Sequence, residues 1–487
     1  MNLLKTYIKQ FLSGNINFSR NFLVAVLVLA SGYILFNHLG TNPLSTDGYY
    51  YANCSKLMVQ NNDFVTIWYD NAPSFTSCKG IFFYWINAVS GIVCGFDSFS
   101  MRLPQALLGF VCIMFLFFFL EKKYDYKFAF ISSIILLLTQ QFLYNSRACT
   151  TDGDFAVLFT FAAVTFYIAI TDEKPLYYYF FGFFFAFSIL IRQTLGLFIL
   201  PVIVVYVFST PLLRKKVFFN KHFYLSIIAA LLIILPWYML AYNMYGDFFL
   251  KQYFSTSYKV LTGIDVAAQF KGARWWTYLN ILVSNYQPWL IFLLIGAYIK
   301  IKQMIKSNMS SAASFEKFAL IWAFVPLILL QLMRGYQYHF IVMLYIPFAI
   351  ISSWGIIHIF RNKNLIISYL TVIISVFVFA CMFLNLLPKT LDNRHHINTV
   401  NLIPAMSEVK GQIYTIDEHT FYSNIFLFYT NRNVMPVSNE NFHRMLASKN
   451  KYYFVLSRNS FANEVYGKYA VNVMAEVKDS VLFSNIF

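Results

Sequence analysis

Long apolar stretches alternate with short polar ones along most of the 487 residues. An apolar stretch of about 17–25 residues is long enough to cross a bilayer as a helix. About eleven such stretches occur, with thirteen as the upper limit because 155–210 can be divided differently. They lie at 21–40, 104–121, 127–144, 155–171, 176–192, 195–210, 223–242, 286–301, 317–333, 339–358 and 365–387. The pattern predicts an all-α polytopic membrane protein.

Two polar regions interrupt this pattern. Residues 41–103 follow the first predicted span and form a long loop. Residues 388–487 are rich in Asn, Asp and Glu, and short strand-like runs such as KYYFVLS alternate there with polar stretches. Such alternation is typical of a small α/β unit. We therefore predict a transmembrane domain at 1–387 and a soluble α/β domain at 388–487.

The composition supports a membrane protein, with 59% hydrophobic and only 12% charged residues. The net charge of +16 would suggest a nucleic-acid partner in a soluble protein. Here short basic loops account for the excess, so we expect no nucleic-acid binding. With eleven spans these loops all fall on one side, which the positive-inside rule assigns to the cytoplasm. They contain Lys5, Lys9 and Arg20; Lys122, Lys123 and Lys127; Arg214, Lys215, Lys216 and Lys221; Lys300, Lys302, Lys306 and Lys317; Arg361 and Lys363.

This orientation predicts a multi-pass protein of the cell inner membrane. Its N-terminus is then cytoplasmic, and the domain at 388–487 lies outside. Residues 1–20 are a basic amphipathic lead-in, and the first span lacks a small-residue cleavage site, which indicates a signal anchor. The six cysteines contain no CxxC, which disfavours a zinc or redox motif. A Cys54–Cys78 disulfide and unpaired cysteines both remain open.

Charged residues gather at the predicted outer ends of the spans, where the positive-inside rule should deplete Lys and Arg. Taken singly, each is explained as an ordinary interfacial charge. As a set they are chemically coherent, because a carboxylate can act as a general base and fixed cations can stabilise a phosphate leaving group. The set comprises Asp47, Lys79, Arg102, Arg147, Asp152, Asp154, Arg192 and Arg334, with Tyr336, Tyr338 and His339 beside the last.

Nucleotide-binding motifs are absent from the sequence. It contains neither GxGxxG after a strand nor a P-loop GxxxxGK[ST]. Phosphate chemistry outside the membrane without a nucleotide points to a lipid-phosphate donor.

Motifs in a fixed order give the sequence a family resemblance. TDGYYYA places Asp47 and Tyr51 in a D-E-x-x-Y pattern whose second acid is Gly48 here. CKGIFFYW matches K-P-x-x-x-Y-W at Lys79, Tyr84 and Trp85, with Gly80 for Pro. Further matches are QNNDFVTIWYDNAPSF, Arg102-Leu103-Pro104, Thr151-Asp152, LIRQTLG with Arg192 in a Lys position, Leu235 to Tyr238, RWWTYLNILVSNYQPW and GYQYHFIVMLYIP. The chain thus resembles the GT-C membrane glycosyltransferases that use polyprenyl-phosphate sugars, among them protein O-mannosyltransferases and the lipid A aminoarabinose transferase.

The resemblance implies a transferase whose first outer loop, 41–103, carries amphipathic helices that frame the site. The donor would be a sugar on polyprenyl phosphate, and the acceptor a lipid, glycan or protein outside the inner membrane. We expect inversion with Asp47 as general base and Asp152 as the rival. We expect the donor phosphate near Lys79, Arg147, Arg192 and Arg334. We expect the substrate to be positioned by Tyr51, Tyr84, Tyr336, Tyr338 and His339.

Three alternatives stay open at this point. Asp152-Gly153-Asp154 has the DxD form that elsewhere holds Mg²⁺ or Mn²⁺ beside phosphate, although a structural role for these acids is favoured and no cofactor is certain. A lipid-linked sugar flippase would show inverted halves and charges at mid-span, which are missing here. An O-antigen-type ligase need carry neither the Asp47 motif nor the C-terminal domain.

Overall fold

The computed structural model describes residues 19–75, 79–262, 276–306, 314–333, 337–361, 397–406 and 408–485. Helices form most of this part of the chain. They are α1 Arg20–Phe36, α2 Thr46–Gln60, α3 Ile81–Cys94, α4 Leu103–Lys123, α5 Tyr126–Leu137, α6 Gln140–Asn145, α7 Thr151–Thr171, α8 Pro175–Gly196, α9 Ile199–Ser209, α10 Pro211–Phe218, α11 Lys221–Thr262, α12 Thr277–Asn285, α13 Leu290–Lys306, α14 Phe315–Leu332, a 3₁₀ helix Tyr338–Leu344, α15 Tyr345–Arg361, α16 Ile397–Val400, α17 Ile403–Met406, α18 His419–Thr430, α19 Asn439–Leu446 and α20 Arg458–Glu464.

Six helical segments in the described residues are long and apolar enough to cross a membrane, and a bent pair, α12 with α13, raises the number to seven. The six are Leu103–Lys123, Thr151–Thr171, Pro175–Gly196, Lys221–Ser255, Phe315–Leu332 and Tyr338–Phe360. Shorter apolar helices, α1, α3, α5 and α9, have 10–17 residues. The largely helical architecture with several apolar helices is confirmed. The number eleven stays a prediction, and predicted span 365–387 lies outside the described residues.

Helix α7 lies at the centre of the helical part. It is buried on all sides, with Phe159 and Phe166 fully inaccessible. A helix that is apolar all round is stable when neighbours cover every face. Its two interior hydroxyls are satisfied within the helix, since Thr160 donates to the carbonyl of Ala156 (2.8 Å) and Thr165 to that of Phe161 (2.5 Å). Helix α7 therefore gives its N-terminal turn a fixed position.

Two predicted spans are not single straight helices, and a third is part of a much longer helix. The predicted span 127–144 is divided between α5 and α6, with Leu138 and Thr139 outside both. The predicted span 286–301 begins in a bend of 116° between α12 and α13, where Pro288 cannot donate a helical hydrogen bond. The predicted span 223–242 lies within the 42-residue α11, and the interruption of that helix at Gly246, with φ of 52°, comes after the span.

The C-terminal unit, residues 413–485, contains a five-stranded mixed sheet. Its strands are β3 Ile413–Thr415, β4 Val434–Pro436, β5 Tyr453–Ser457, β6 Val471–Glu476 and β7 Ser480–Asn485, after a small hairpin of β1 Trp68–Tyr69 and β2 Ala72–Pro73 in the first loop. The spatial order is β4-β3-β5-β7-β6, with β3 parallel to β4 and β5 and the other pairs antiparallel. A domain boundary at 388 stays a prediction, because it lies outside the described residues.

The long loop at 41–103 and the C-terminal unit share one hydrophobic core. Helix α18 packs on α2, and the rings of Tyr49 and Phe428 are 5.6 Å apart. Ile425 and Phe426 of α18 are fully buried in the same cluster as Tyr49. The loop is thus held between the helices and the sheet.

Candidate active site

A cavity of about 280 Å³ opens where several helices begin. The first turns of α2, α7 and the 3₁₀ helix reach it, together with the residue that precedes α3 by two positions. It is lined by Ser45, Thr46, Asp47, Tyr51, Lys79, Gln141, Tyr144, Asn145, Thr150, Asp152, Tyr338 and His339. Free backbone N–H groups and the helix dipole make helix N-termini favourable for anions. The chain therefore directs several positive helix ends at one small volume.

Asp47 lies in the first turn of α2. The Ser45 hydroxyl caps this helix by accepting from the N–H of Gly48 (3.1 Å), and a first-turn carboxylate is favoured by the helix dipole. The Asp47 side chain is exposed to the cavity. A Cβ at position 48 would lie 3.1 Å from the Ser45 hydroxyl and 3.2 Å from Leu44. The packing of this turn thus gives little room for a second acid at Gly48.

Tyr51 forms the floor of the cavity one turn further along α2. Its ring packs at 5.4 Å from Phe83 and 6.3 Å from Tyr84, and the ammonium of Lys79 is 6.0 Å from its centroid. Burial raises the pKa of the Tyr51 phenol well above its usual value, and the charge of Asp47 raises it further. The opposing charge of Arg192 does not reverse this shift. Tyr51 is therefore a neutral hydrogen-bonding group at all physiological pH values.

Lys79 is placed by the close contact of two backbones. The N–H of Gly80 donates to the carbonyl of Ile191 (2.9 Å). A Cβ on Gly80 would lie 1.8 Å from the carbonyl oxygen of Leu190, so no larger residue fits without a shift of the chain. This lack of space explains why the chain has glycine where the motif has proline. The close contact also brings the Lys79 segment against the end of α8 that carries Arg192.

Arg192 and Asp152 form a buried ion pair, of which Asp152 lines the cavity. Helix α8 is broken at Arg192 and Gln193, whose φ of 24° is outside the helical region. The guanidinium also lies 5.4 Å from the ring centroid of Phe340. Arg192 is 6% exposed and Asp152 8% exposed, so their charges are held mainly by each other. A cation–π contact adds to the fixation of the guanidinium.

Arg147 has a different environment from the one we predicted. Its guanidinium donates to the carbonyls of Ile34, Leu35 and Asn37 at the end of α1. These carbonyls are the groups that a helix leaves unsatisfied at its C-terminus. Arg147 is not among the residues that line the cavity, and its hydrogen bonds hold the end of α1.

Arg102 holds the segment that follows α1. It donates to the carbonyls of Leu39 (3.0 Å), Asn42 (2.6 Å) and Pro43 (2.5 Å). Two arginines therefore hold the segment that leads from α1 to Asp47.

The remaining predicted residues divide into three groups. Tyr338 and His339 line the cavity, and their rings are 5.1 Å apart. Tyr84 is fully buried behind Tyr51 and does not line the cavity. Arg334 and Tyr336 lie outside the described residues.

The DxD pair does not form a metal site in the described residues. Asp154 is buried on the far side of the turn, where it accepts from Gln105 (3.2 Å), while Asp152 is paired with Arg192. In the part of the chain that the structure describes, no group of three His, Cys, Asp or Glu side chains converges. These acids therefore do not fit a divalent ion. Cys54 is a free, buried thiol, and Cys78 lies outside the described residues.

Six polar residues that line the cavity had not been predicted from the sequence, among them Ser45 and Thr46 at the start of α2. Gln141, Tyr144 and Asn145 lie on one face of α6, and Thr150 precedes α7. Gln141, Tyr144 and Asn145 are three and four residues apart within an apolar stretch, and the sequence alone shows that this spacing places them on one helical face.

The fold has known relatives among membrane transferases. The structure of ArnT from Cupriavidus metallidurans bound to undecaprenyl phosphate superimposes with a TM-score of 0.72 over 95% of this chain and 98% of that one, at 16% identity. The chain shares the fold of this ArnT structure. The oligosaccharyltransferase of Archaeoglobus fulgidus shares it more distantly, with a TM-score of 0.59 over 91% of this chain and 69% of that chain, at 14% identity.

Sequence comparisons find similar proteins. Residues 78–240 match the family described as dolichyl-phosphate-mannose-protein mannosyltransferase. The undecaprenyl phosphate-alpha-4-amino-4-deoxy-L-arabinose arabinosyl transferases of Shewanella sediminis and Aeromonas hydrophila are each 26% identical, over 325 and 332 residues. Each alignment covers 66% of this chain, and the chain spans 57% and 58% of the length of these curated relatives. The resemblance predicted from the motifs is confirmed.

Proposed function

We propose that this protein transfers a sugar from a polyprenyl-phosphate carrier to a lipid, glycan or protein acceptor on the outer side of the inner membrane. Two likenesses support a lipid-phosphate donor. The aligned relatives are named for an undecaprenyl-phosphate aminosugar, and the similar ArnT structure is bound to undecaprenyl phosphate. The predicted orientation, with the N-terminus in the cytoplasm and the C-terminal unit outside, places the cavity at the outer membrane face.

One observation carries the proposal: an exposed carboxylate and an ammonium group share one small cavity. Asp47 and Lys79 both line it, and so does Asp152, which is paired with Arg192. A sugar phosphate donor needs positive charge where the phosphate leaves. Lys79 supplies a cation and the starts of α2 and α7 supply positive helix ends. The acceptor oxygen then approaches the anomeric carbon from the side opposite the phosphate.

Asp47 is the better of the two candidate bases. A general base must reach the proton that it accepts, and Asp47 is exposed to the cavity. The carboxylate of Asp152 is already neutralised by Arg192, which makes it a weaker proton acceptor. In a single displacement, Asp47 accepts the proton of the acceptor hydroxyl while the new C–O bond forms. The bond from the anomeric carbon to the phosphate oxygen breaks, and its electron pair stays on the polyprenyl phosphate, so the configuration inverts.

The experiment compares three carboxamide variants of the purified protein with a panel of polyprenyl-phosphate sugars. Asp47→Asn should lower turnover at least about 100-fold, the range expected for loss of a general base, with donor binding retained. Asp247→Asn is the matched control, because Asp247 is an exposed acid on α11 that does not line the cavity. It should behave as the wild type.

Asp152→Asn decides between the two acids. If Asp47→Asn keeps the wild-type rate while a folded Asp152→Asn is inactive, the base is Asp152. Elution as a single species in size-exclusion chromatography establishes that each variant is folded. A product with retained anomeric configuration would contradict the single displacement. An acceptor phosphate is already ionised and needs no base, so an Asp47→Asn variant that fails only with hydroxyl acceptors would still support the role.

A further inference from the structure

One buried side chain joins the C-terminal unit to the helix that carries Asp47. Asn424 lies on α18 and is 4% exposed. Its amide nitrogen donates to the carbonyl of Thr46 (3.2 Å), and its amide oxygen accepts from the hydroxyl of Tyr69 (2.6 Å). Its backbone carbonyl accepts from the side chain of Asn53 (2.8 Å), one of the most buried polar groups of α2. A single residue thus contacts α2 at its start and its middle, and also the β1–β2 hairpin.

The bond to Thr46 acts on the backbone of Asp47. The carbonyl of Thr46 and the N–H of Asp47 belong to the same planar peptide unit. A hydrogen bond to this carbonyl therefore restricts rotation of the peptide plane that ends at the Cα of Asp47, and so restricts the direction of the Asp47 side chain. A carbonyl oxygen has two lone pairs, so Thr46 can accept from Asn424 as well as from its own helix. Tyr69 fixes the orientation of the Asn424 amide, so that its nitrogen faces Thr46.

Other contacts between the same two regions lie further from Asp47. Lys56, near the end of α2, donates to the carbonyl of Phe428 (2.6 Å) and to Asn431 (3.0 Å). Asn433 donates to Asp70 at the tip of the hairpin. These bonds dock the C-terminal unit on the loop without touching the first turn of α2. Substitutions at these contacts therefore test docking of the C-terminal unit without a direct effect on Asp47.

We propose that Asn424 is a positioning residue, through which the C-terminal unit fixes the orientation of Asp47 at the cavity. This inference rests on the proposed function, in which Asp47 is the base. It assigns the C-terminal unit a part in the rate of the chemical step. An apolar helix-to-helix contact alone would not require a buried asparagine whose amide nitrogen, amide oxygen and backbone carbonyl are all hydrogen-bonded.

The first test separates turnover from donor binding. Asn424→Asp keeps the shape and the bond from Tyr69, but replaces the donor to Thr46 by an oxygen that repels the carbonyl. It should lower kcat about 10-fold or more with an unchanged KM for the donor, because a small misplacement of a catalytic group mainly affects rate. Tyr69→Phe, which only frees the amide to rotate, should lower kcat in the same direction by a smaller factor. Asn433→Ala is the matched docking control and should keep the wild-type kcat.

The second test does not depend on activity. Hydrogen–deuterium exchange of the backbone amides at 46–53 should be faster in Asn424→Asp and unchanged in Asn433→Ala. If the wild type transfers no sugar but this difference in exchange is found, the proposed function fails and the contact remains. If Asn424→Asp has wild-type kcat and wild-type exchange, the inference is overturned. Equal loss in Asn424→Asp and Asn433→Ala would also overturn it, because it would show docking alone. Should Asn424→Asp not fold, Tyr69→Phe decides by the same two measurements.

Discussion

The buried pair of Asp152 and Arg192 gives a stability prediction with a defined sign and size. Two unit charges about 4 Å apart attract by about 4 kcal/mol at an effective dielectric constant of about 20. Removal of one partner leaves the other charge buried without compensation, which typically destabilises by about 3–5 kcal/mol. Asp152 faces a cavity that admits water, whereas Arg192 is enclosed between Asp152 and Phe340. We therefore expect Asp152→Asn, which strands the arginine, to destabilise by about 3 kcal/mol, and Arg192→Met by about 2 kcal/mol.

A double-mutant cycle measures the pair itself. The variant with both changes has no stranded charge, so its loss should fall short of the sum of the two single losses by about 2 kcal/mol. Titration with SDS in mixed micelles, followed by tryptophan fluorescence, gives the four free energies of unfolding. Conversion of exposed Asp247 to Asn provides the baseline for loss of a carboxylate. Strict additivity of the two single variants would refute a direct ion pair, and equal stability of all four proteins would refute its burial.

Three further outcomes are expected. Gly80→Ala should lower turnover by about 100-fold, because a Cβ at 1.8 Å from the Leu190 carbonyl must displace the Lys79 segment by about 1 Å. Wild-type turnover of this variant would contradict the close contact. Arg147→Gln should destabilise the protein by roughly 3 kcal/mol, because charged hydrogen bonds to the end of α1 are lost, and should leave the donor KM unchanged. A raised donor KM with full stability would instead support the phosphate role predicted from the sequence. Tyr51→Phe should lower activity by the same factor at about pH 6 and about pH 9, because burial raises the Tyr51 pKa so far that the phenol stays neutral at both, and a factor that changes across this range would contradict that assignment.

Periodicity alone predicted much of the architecture. Apolar stretches of spanning length are recognisable because every backbone group in a bilayer must be satisfied within a helix. In the C-terminal unit, KYYFVLS was visible as a short apolar run between polar stretches, and Tyr453–Ser457 is a strand whose first four residues are buried. The similar run IFLFYT instead forms the end of α18, because a short apolar run does not distinguish a strand from a buried helix. Interruptions such as Leu138-Thr139 were missed, because a short break in an apolar stretch leaves the hydropathy unchanged.

The candidate chemistry was also visible in part. Asp47, Lys79, Asp152, Tyr338 and His339 were selected because charges and polar groups at span ends are rare, and the structure brings them to one cavity. The sequence could not distinguish an arginine that faces a cavity from one that caps a helix. Arg147 has the same charge and the same predicted depth as Arg192, and its role depends on the carbonyls at the end of α1, more than a hundred residues earlier.

The sequence by itself determined that this chain is a helical membrane protein with acids and cations gathered at the ends of its spans, because those properties depend on local composition and spacing. The tertiary structure alone decided which charges meet. The kink at Arg192, the space that only Gly80 fits and the bond from Asn424 to Thr46 all join segments far apart in the chain. Such contacts arise from the packing of whole helices and the sheet, so no local pattern encodes them.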